Sequence, residues 1–345
     1  MPIIQVDEIQ EITQSALRAA GATDDEAEIV GDHLVQSSLA GHDSHGIMRA
    51  LQYAEMIQSG EIIPGTAPTV ELDTPVFATM DATNVFGQVV AARAMRSAIQ
   101  KAKDSSLGLV TIKNSPHNGR LGTFGEIAAA ENVVGLVFLN GGGSGQWVAP
   151  FGGLGRRLGT NPMAMGAPSG KDFPIVLDIS TCIVPEGKIR HYLQNEQEIP
   201  EGWMMDGEGK LTTDPGKLYE SVSACLQPLG GSLSGHKGFG LSFMNEVLAG
   251  ALSGCGCARD LPEDHPVGHG LLMLAIDIQQ LTTLEEFTSK ISTTIDYIKS
   301  CPPAPGFEEV LVPGEFEHRN RQDRLANGIS ISEQIWSDLV TLAGG

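Results

Sequence analysis

The stretch LGLVTIKNSPHNGRLG, residues 107–122, decides the fold. Its first part, LGLVTI, is a short apolar run of the kind that forms a buried strand. The polar loop NSPHNGRLG follows, and a helical segment comes after it. Glycines flank His117 and Arg120, so backbone N–H groups of the loop can approach an anionic ligand closely, and Arg120 adds positive charge. This order predicts a strand, a binding loop and a helix.

The imidazole of His117 is the reactive group of this loop. A histidine with its ordinary, near-neutral pKa exchanges a proton readily with a hydroxyl or carbonyl oxygen. We therefore consider His117 a candidate acid and base. Taken alone, the loop is better explained as an ordinary turn that carries a surface histidine.

The segments around this stretch predict a mixed α/β protein. Apolar or alternating runs predict strands at residues 70–80, 133–140 and 271–278. Helical patterns occupy residues 88–103 and 284–299. Glycine clusters at residues 141–145 and 152–155 predict tight loops.

The two ends of the chain have a different texture. Residues 7–60 predict a helical hairpin, because Thr23 and Glu26 form a capping-box pattern and apolar residues recur at one-turn spacing. The segment CPPAPGFEEVLVPGEFE, residues 301–317, is rich in proline and glycine. It predicts a linker or a binding loop before the last helices.

Composition limits the partners. The 345 residues include 22 basic and 42 acidic side chains, a formal net charge of -20, and 41% are hydrophobic. Such a chain can form two or three packed units. Its negative field repels phosphate backbones and anionic headgroups, so we expect no nucleic acid and no membrane partner. A carboxylate substrate would need a local basic group, for which Arg49 is the candidate.

The cysteines and the amino terminus indicate the compartment. Five cysteines without paired zinc-type spacing are typical of free thiols in a reducing compartment. Metal binding by Cys255 and Cys257 is an alternative to a tight loop there. The start MPIIQVDEIQ lacks a signal-peptide pattern, and no run is long enough to span a bilayer. We therefore expect a cytoplasmic protein.

The motif GHDSHGIMRALQY, residues 41–53, carries a second set of reactive groups. If a helix begins near Ser44, then His45, Arg49 and Tyr53 lie four residues apart on one face. The guanidinium would bind a carboxylate through two parallel hydrogen bonds, and Ser44 and His45 would contact the reacting oxygen. A polar helix start capped by Ser44 explains the motif about equally well.

Three glycine-rich motifs remain: NGGGSG at 140–145, FGGLGRRLGTNP at 151–162 and GHKGFG at 235–240. None has the spaced-glycine dinucleotide fingerprint after a strand, with an acidic residue further on. A classical doubly wound nucleotide-binding domain is therefore not supported. Tight turns are the commoner reason for such clusters.

Several motifs occur together, in order, in one known family. GHDSHGIMRALQY, NSPHNGRLG, VAPFGGLGRRLGTNPMAMGAP, VLDIST, GKIR, TTDP, GHKGFGLSF and PGEFE resemble the type 2 malate/L-lactate dehydrogenases over nearly the whole chain. That family includes 2-hydroxycarboxylate, ureidoglycolate and sulfolactate dehydrogenases and cyclic ketimine reductases. The resemblance implies an α/β fold of the α+β type, in which a non-Rossmann nicotinamide-binding domain has a mostly antiparallel sheet.

The resemblance also implies a domain organisation and an assembly. Residues 1–120 with 301–345 are expected to form a helical substrate and dimerisation domain built from the N- and C-terminal segments. Residues 121–300 are expected to form the sheet domain that binds NAD or NADP. The family implies a homodimer with a shared active site.

Residue roles carry over by position. By resemblance His117 is the acid and base, Arg49 grips the substrate carboxylate, and Ser44, His45 and Tyr53 line the pocket. Asp178 ends the run PIVLD and is expected to orient a donor or to bind ribose hydroxyls, with a strand-end cap as the alternative. Cofactor contacts are implied at His45, Gly119, Arg120, Leu121, Thr160, Asn161, Val176, Leu177, Asp178, Ile179, Ser180, His236, His269, Pro313, Gly314, Glu315 and Phe316. No metal is expected, and Pro116 and Asn118 depart from the family pattern.

These roles imply an NAD(P)-dependent oxidoreductase that interconverts a small 2-hydroxy acid and its 2-oxo acid. Reduction of a cyclic imine that bears a carboxylate needs the same anchor and the same hydride face. A serine hydrolase that uses Ser44 with His45 or His117, or a metal site at His42, Asp43 and His45, is a minor alternative.

Overall fold

The computed structural model describes residues 1–143, 145–259 and 268–344. Its helices are α1 Val6–Ala19, α2 Asp24–Leu39, α3 Arg49–Gln58, α4 Gly87–Ser105, α5 Gly122–Ala130, α6 Glu186–Gln194, α7 Lys217–Glu220, α8 Gly231–Asn245, α9 Leu284–Lys299, α10 Glu315–Asn327 and α11 Glu333–Leu342. Its strands are β1 Ile3–Ile4, β2 Thr69–Asp73, β3 Phe77–Asp81, β4 Leu107–Ser115, β5 Val133–Asn140, β6 Met163–Ala167, β7 Ile175–Ile179, β8 Met204–Met205, β9 Leu211–Thr212, β10 Cys225–Leu226, β11 His269–Asp277 and β12 Ile329–Ser330.

Seven strands form the central sheet, in the order β2-β3-β4-β11-β5-β6-β7. In the described part of the chain, every pairing in this sheet is antiparallel except that of β3 with β4. Strand β11 lies between β4 and β5, so a late segment of the chain occupies the middle of the sheet. The predicted α/β fold with a mostly antiparallel sheet is therefore confirmed.

Helices α4 and α5 pack on this sheet. Buried side chains such as Met95, Phe124 and Val137 fill the space between them. The approach of α5 to β6 is very close, because a Cβ at Gly166 would lie 2.1 Å from the carbonyl oxygen of Gly125. This contact fixes the position of α5, whose first residue follows the His117 loop.

A second hydrophobic core belongs to the helical unit, in which α1, α2, α3 and α11 pack together. Helix α2 begins with the predicted capping box: the Thr23 side chain accepts the Glu26 N–H, and the Glu26 carboxylate accepts the Thr23 N–H at 2.9 Å. Strands β1 and β12 pair, which brings the two ends of the chain together. A third core forms around Ile189, Met204 and Leu226, beside the small sheet β10-β8-β9.

The helix predicted near Ser44 begins later, at Arg49. Residues 43–45 form a single 3-10 turn, and Gly46 that follows is extended. The Gly46 backbone is pressed against α2, because a Cβ there would lie 2.1 Å from Ser38 Oγ. This close contact interrupts the helix that the four-residue spacing predicted.

The strand predicted at residues 70–80 is a hairpin of β2 and β3. Thr74 makes the turn, since its hydroxyl oxygen accepts the N–H of Phe77 at 2.9 Å. The helices predicted at 88–103 and 284–299 are present as α4 and α9. None of the described helices combines the length and the hydropathy needed to cross a bilayer.

The domain boundary expected after residue 120 does not coincide with the division between the cores. Ala78, Met95 and Ile112 pack in the same core as Val137 and Met273. Strands β3 and β4 and helix α4 therefore belong with the sheet, because their apolar side chains are buried there.

The contact of α5 with β6 gives a test of the fold. We expect Gly166→Ala to destabilise the protein by about 1–3 kcal/mol or more, because the added methyl group meets backbone that cannot rotate away. Gly187→Ala is the matched control, since a Cβ at this position in α6 meets nothing within 4 Å. Urea unfolding of both variants measures the difference, and equal stability of the two would contradict the packing described for Gly166.

Candidate active site

The loop of residues 116–121 connects the end of β4 to the start of α5. Gly119 has a φ of 72°, and a Cβ there would lie 2.2 Å from His33 Nε2, so only glycine fits. Asn118 is buried: its amide donates to the Pro116 carbonyl at 2.8 Å, and its Oδ1 accepts from Ser115 Oγ at 2.8 Å. The two residues that depart from the family pattern thus shape the loop.

His117 lies where the helical unit meets the sheet unit. The hydroxyl oxygen of Tyr53 lies 2.7 Å from His117 Nδ1, and the N–H of Gly119 donates to the same nitrogen at 3.3 Å. The His45 ring stacks on the His117 ring with a centroid distance of 5.6 Å, and the His269 ring lies edge-on at 6.4 Å. The motif of residues 41–53 and the loop of residues 116–121 therefore meet in space.

Burial dominates the electrostatics of these three imidazoles. Loss of hydration lowers the pKa of His117 well below its usual value, and repulsion from His45, when that ring is also protonated, and from Arg49 adds to the effect. Burial likewise lowers the pKa of His45 to about 4 and that of His269 to about 4. The near-neutral pKa expected for His117 is therefore wrong, because the ring is removed from water. At neutral pH all three rings are uncharged.

Arg49, the first residue of α3, supplies positive charge beside this cluster. Its Nε donates to the carbonyl oxygen of Ser44 at 2.7 Å, and its Nη1 donates to Gln52 Oε1 at 2.5 Å. Ser44 Oγ in turn lies 3.0 Å from His45 Nδ1. The 3-10 turn and the first turn of α3 thus hold a guanidinium, a hydroxyl and an imidazole together.

Tyr53 is fully buried, and its expected place in the pocket lining stays a prediction. Its hydroxyl oxygen contacts Nδ1 of His117 and accepts a hydrogen bond from the side-chain amide of Gln88. Burial raises the pKa of the phenol, so it stays protonated. Tyr53 therefore orients the imidazole from behind.

Asp178 and Arg120 form a second group at the start of α5. Asp178 Oδ2 accepts the N–H of Gly122 at 2.7 Å, so this carboxylate caps the start of α5. Its expected roles toward a donor or ribose hydroxyls stay predictions. The buried guanidinium of Arg120 lies 2.9 Å from Glu126 and 3.8 Å from Asp178. Burial raises the pKa of Asp178, while Arg120 and the Gly122 N–H act in the opposite direction. No hydrogen bond among the described residues joins Asp178 to His117.

Other residues expected to contact a cofactor lie in two further places. The N–H of Val176 donates to the Pro313 carbonyl at 3.4 Å, and Gly314 packs against Pro174. Strand β7, which carries Leu177 and Ile179, is therefore next to the 313–316 loop. In that loop Glu315 is buried and bridged to Lys299.

Two residues of the LGTNP turn make hydrogen bonds within the protein. The Thr160 carbonyl accepts the Thr181 N–H at 3.0 Å, beside Ser180. Asn161 is buried, and its amide donates to Glu246 at 2.7 Å. Phe316 is exposed and Leu121 is buried. These are structural contacts, and they leave the expected cofactor roles as predictions.

His236 lies apart from the His117 cluster. Its ring packs against Phe151 at the start of α8, with a centroid distance of 5.6 Å. Ser144 of the NGGGSG motif lies outside the described residues. For His236, too, a cofactor contact stays a prediction.

Sequence reasoning missed three residues that position His117. His33 on α2 accepts the backbone N–H of Arg120 at 2.9 Å. Gln88 binds Tyr53, and Gly87 lets α4 approach the loop, since a Cβ there would lie 2.3 Å from the His117 carbonyl oxygen. His33 and Gln88 lie in ordinary helical patterns and gave no signal. The available signal was Gly87, a glycine at the start of an Ala-rich helix.

Comparison with known proteins identifies the family. A family model described as malate/L-lactate dehydrogenase matches residues 4–340. The chain belongs to the malate/L-lactate dehydrogenase family. The malate dehydrogenase of Pyrococcus horikoshii is 38% identical over 332 residues, which cover 95% of this chain and 91% of that protein. The predicted family and the prediction of a dehydrogenase are confirmed.

Two solved structures agree with the fold. The malate dehydrogenase of Entamoeba histolytica is similar with a TM-score of 0.94 at 29% identity, covering 99% of this chain and 97% of that one. The delta1-piperideine-2-carboxylate reductase of Pseudomonas syringae is similar with a TM-score of 0.86 at 26% identity, covering 99% of this chain and 100% of that one. Proteins named for an alcohol substrate and for a cyclic imine thus share this architecture.

Several residues of the two metal alternatives have other partners. His42 contacts Glu317 at 3.1 Å, and Asp43 pairs with Arg324. The thiols of Cys255 and Cys257 donate to backbone carbonyls. Across residues 1–143, 145–259 and 268–344, no group of three or more His, Cys, Asp or Glu side chains is arranged to hold a metal ion.

The buried His33 predicts how stability depends on pH. Burial lowers its pKa from 6.5 to about 3, so between these values the unfolded chain binds a proton that the folded protein excludes. The stability this group contributes is complete above pH 6.5 and falls by roughly 1.4 kcal/mol per pH unit below it. His33→Gln keeps an acceptor for the Arg120 N–H but cannot titrate. We expect the variant to be less stable at pH 7 and to lose less stability on acidification.

Urea unfolding at pH 7, 6, 5 and 4 measures this effect. The gap between the wild-type and His33→Gln free energies of unfolding should narrow as the pH falls. Parallel curves would show that His33 does not resist protonation in the folded state.

Proposed function

We propose that this dehydrogenase interconverts a small 2-hydroxy acid and its 2-oxo acid with NAD or NADP. The observation that carries the proposal is the convergence of Arg49, Ser44 and the neutral His117 ring, which Tyr53 holds through Nδ1. A carboxylate beside Arg49 would have its neighbouring carbon near an imidazole that can take a proton.

Arg49 anchors the acid in this proposal. Nε and Nη1 are bound within the protein, whereas Nη2 makes no hydrogen bond to any described residue. An anionic oxygen gains a charge-assisted hydrogen bond there. The uncharged rings of His45 and His117 do not compete with it for the carboxylate.

His117 accepts the hydroxyl proton at Nε2, because Nδ1 faces Tyr53. The lowered pKa keeps the ring in its neutral form at the start of oxidation. A bound nicotinamide ring supplies the acceptor for the hydride that leaves the same carbon. Ser44 and His45, which contact each other beside this ring, are proposed to donate to the substrate oxygen.

The start of α5 fits a phosphate-bearing cofactor. Nε and Nη2 of Arg120 and Oγ1 of Thr123 are buried without a hydrogen-bond partner. Together with the backbone of the 119–121 segment, they would satisfy anionic oxygens. We propose that the cofactor lies along this edge, past Val176–Ser180 and the 313–316 loop, with Asp178 as a capping residue. Neither nicotinamide form is preferred by these groups.

Reduction of a cyclic imine beside a carboxylate is the second candidate. The structural similarity to a delta1-piperideine-2-carboxylate reductase favours it. The same groups would then act on a ring nitrogen in place of an oxygen.

We further propose a homodimer with a shared active site, since α8 exposes the apolar side chains of Leu233, Phe243 and Met244. We also propose a cytoplasmic location, because the cysteines are free thiols.

A substrate panel tests the function. The 2-oxo acids of lactate and malate, a sulfonated 2-oxo acid and a cyclic imine with a 2-carboxylate are each assayed with NADH and NADPH. We expect oxidation of reduced cofactor with at least one 2-oxo acid. Turnover of the imine alone would select the second candidate, and labelling of Ser44 by a covalent serine probe without any turnover would favour the hydrolase.

His117→Ala should lower kcat by about 100-fold or more, because a positioned acid and base contributes 10²–10⁴-fold, while the dissociation constant of the cofactor stays the same. His191→Ala, which removes an exposed imidazole on α6, is the control and should keep full activity. Full turnover by His117→Ala would remove this residue from the chemistry.

Arg49→Lys tests the anchor. The ammonium group of lysine is a point charge and cannot reproduce the hydrogen-bonding geometry of the planar guanidinium. We therefore expect the KM for the acid to rise about 10- to 100-fold, with a smaller change in kcat. Arg96→Lys, at an exposed position on α4, is the matched control. An unchanged KM in Arg49→Lys would show that another group holds the carboxylate.

A further inference from the structure

Three side chains from three elements form a hydrogen-bonded chain that ends on His117. The amide nitrogen of Gln88, in the first turn of α4, donates to the hydroxyl oxygen of Tyr53. That oxygen lies 2.7 Å from Nδ1 of His117. Gln88 is 1% exposed and Tyr53 is 0% exposed, so water does not compete for these bonds.

The amide of Gln88 is not fixed by its surroundings. Its Oε1 is buried and has no hydrogen-bond partner. A half turn about the terminal bond exchanges Oε1 and Nε2, which lets Oε1 accept from the Tyr53 hydroxyl and leaves the nitrogen unpartnered instead. Each orientation therefore leaves one amide atom without a partner. Hydrogen bonding alone therefore does not select one orientation of this amide over the other.

We propose that Gln88 is a positioning residue that selects the tautomer of His117 through Tyr53, and that rotation of its amide reverses the direction of hydrogen bonding along the chain. The proposal rests on the dehydrogenase function proposed above, because it assigns a protonation state to that reaction's acid and base. Gln88 touches neither substrate nor cofactor in this role.

The orientation in the structure makes neutral His117 a hydrogen-bond donor toward the substrate. Gln88 donates to Tyr53, and the Tyr53 hydroxyl is then free to donate to His117 Nδ1. The N–H of Gly119 donates to the same nitrogen at 3.3 Å. With two donors directed at Nδ1, the single proton of the neutral ring lies on Nε2. Nε2 can then hydrogen-bond to a carbonyl oxygen, but it cannot accept a proton.

The reversed orientation makes His117 a base. Nδ1–H donates to the Tyr53 oxygen, the Tyr53 hydroxyl donates to Gln88 Oε1, and Nε2 carries a lone pair. During oxidation the substrate hydroxyl proton moves to Nε2 and stays there, while the C–H electron pair leaves as hydride to the nicotinamide. The imidazolium that results keeps its Nδ1–H on Tyr53, so no proton travels along the chain.

The other groups that face His117 do not offer Nδ1 an acceptor. His45 and Arg49 approach from the 41–53 segment, His269 from β11 and His33 from α2. The imidazoles are uncharged near neutrality, and Arg49 is a donor. Among the described residues no carboxylate hydrogen-bonds to His117. The Gly119 N–H is a fixed donor toward Nδ1. Tyr53, and through it Gln88, is therefore the variable group that shifts which nitrogen is protonated.

Two variants of Gln88 should shift the tautomer in opposite directions. Gln88→Met cannot accept from Tyr53, so the proton should move to Nε2. Gln88→Glu, when ionised, can only accept, so the proton should move to Nδ1. Gln100→Met, which removes an exposed amide bound to Asp104 on the same helix, is the control and should change nothing.

Nitrogen-15 NMR of protein labelled at histidine reads the tautomer directly, and the His117 signals are those lost in His117→Ala. Opposite shifts of the Nδ1 and Nε2 resonances in the two variants are expected. The same tautomer ratio in wild type, Gln88→Met and Gln88→Glu would overturn the proposal. If Gln88→Met fails to fold, Tyr53→Phe breaks the same chain and should also favour protonated Nε2.

Kinetics gives an independent readout. Gln88→Met should lower kcat for oxidation about tenfold or more and leave KM for the acid within about twofold, because Arg49 is untouched. In Gln88→Glu the acid limb of the oxidation profile should move to higher pH, since a carboxylate favours the imidazolium. A change in KM alone would overturn the proposal.

The NMR measurement needs no turnover, which separates the two hypotheses. If the wild-type protein is inactive on every acid but substitution of Gln88 changes the His117 tautomer, the proposed function is wrong and the control of the tautomer by Gln88 stands. If the protein is active but substitution of Gln88 leaves the tautomer unchanged, the proposed function stands and the control by Gln88 is wrong.

Discussion

The position of the His117 imidazole depends on hydrogen bonds that cross from one hydrophobic core to the other. His33 of α2 accepts the N–H of Arg120, and Tyr53 of α3 contacts Nδ1 of His117. The loop itself belongs to the sheet, between β4 and α5. Since the two ends of each bond are carried by different cores, the packing of helical unit against sheet sets where the ring lies. Gly119 makes this contact possible, because any side chain there would meet His33.

The same burial determines the charge of the site. The chain carries a formal net charge of -20, yet the surroundings of His117 contain uncharged imidazoles and the guanidinium of Arg49. Rings with lowered pKa values add no positive charge of their own near neutrality. Under the proposed function, Arg49 is therefore the local attraction for an acid, and its field is less screened than at an open surface. An acidic protein can in this way bind an anion at one place while it repels nucleic acid elsewhere.

Much of this arrangement was predictable from the sequence, but only where a local pattern carried it. The runs LGLVTI and VVGLVFLN gave β4 and β5, and Thr23 with Glu26 gave the start of α2, because strand runs and capping boxes are local signals. The predicted start of α3 was wrong, because the start depends on the contact of Gly46 with Ser38 in another helix. The pKa predicted for His117 was also wrong, because the burial that lowers it is a property of the packed fold.

Gln88 shows the limit of sequence reasoning more sharply. In α4 it follows the pattern of an ordinary helix, and its importance arises only when α3 places Tyr53 against it. The domain boundary failed in a related way: β3, α4 and β4 precede the His117 loop in the chain but are buried with β5 and β11. The residues that make these contacts are far apart in the sequence, so no local pattern predicts the contacts. Resemblance to a family supplied the order of the motifs, and the fold supplied their partners.

Substitutions at buried residues of the site have different consequences from substitutions at exposed residues. Tyr53, Gln88 and Asn118 are buried, so a substitution there disturbs a core as well as the imidazole. Ser44 and Met48 lie on the exposed side of the 41–53 segment, where a substitution affects little packing. Under the proposed function, proton transfer at His117 is therefore tied to the stability of the fold. Packing places no such constraint on the exposed side of the 41–53 segment, so a substitution there would change the surroundings of a bound acid without disturbing a core.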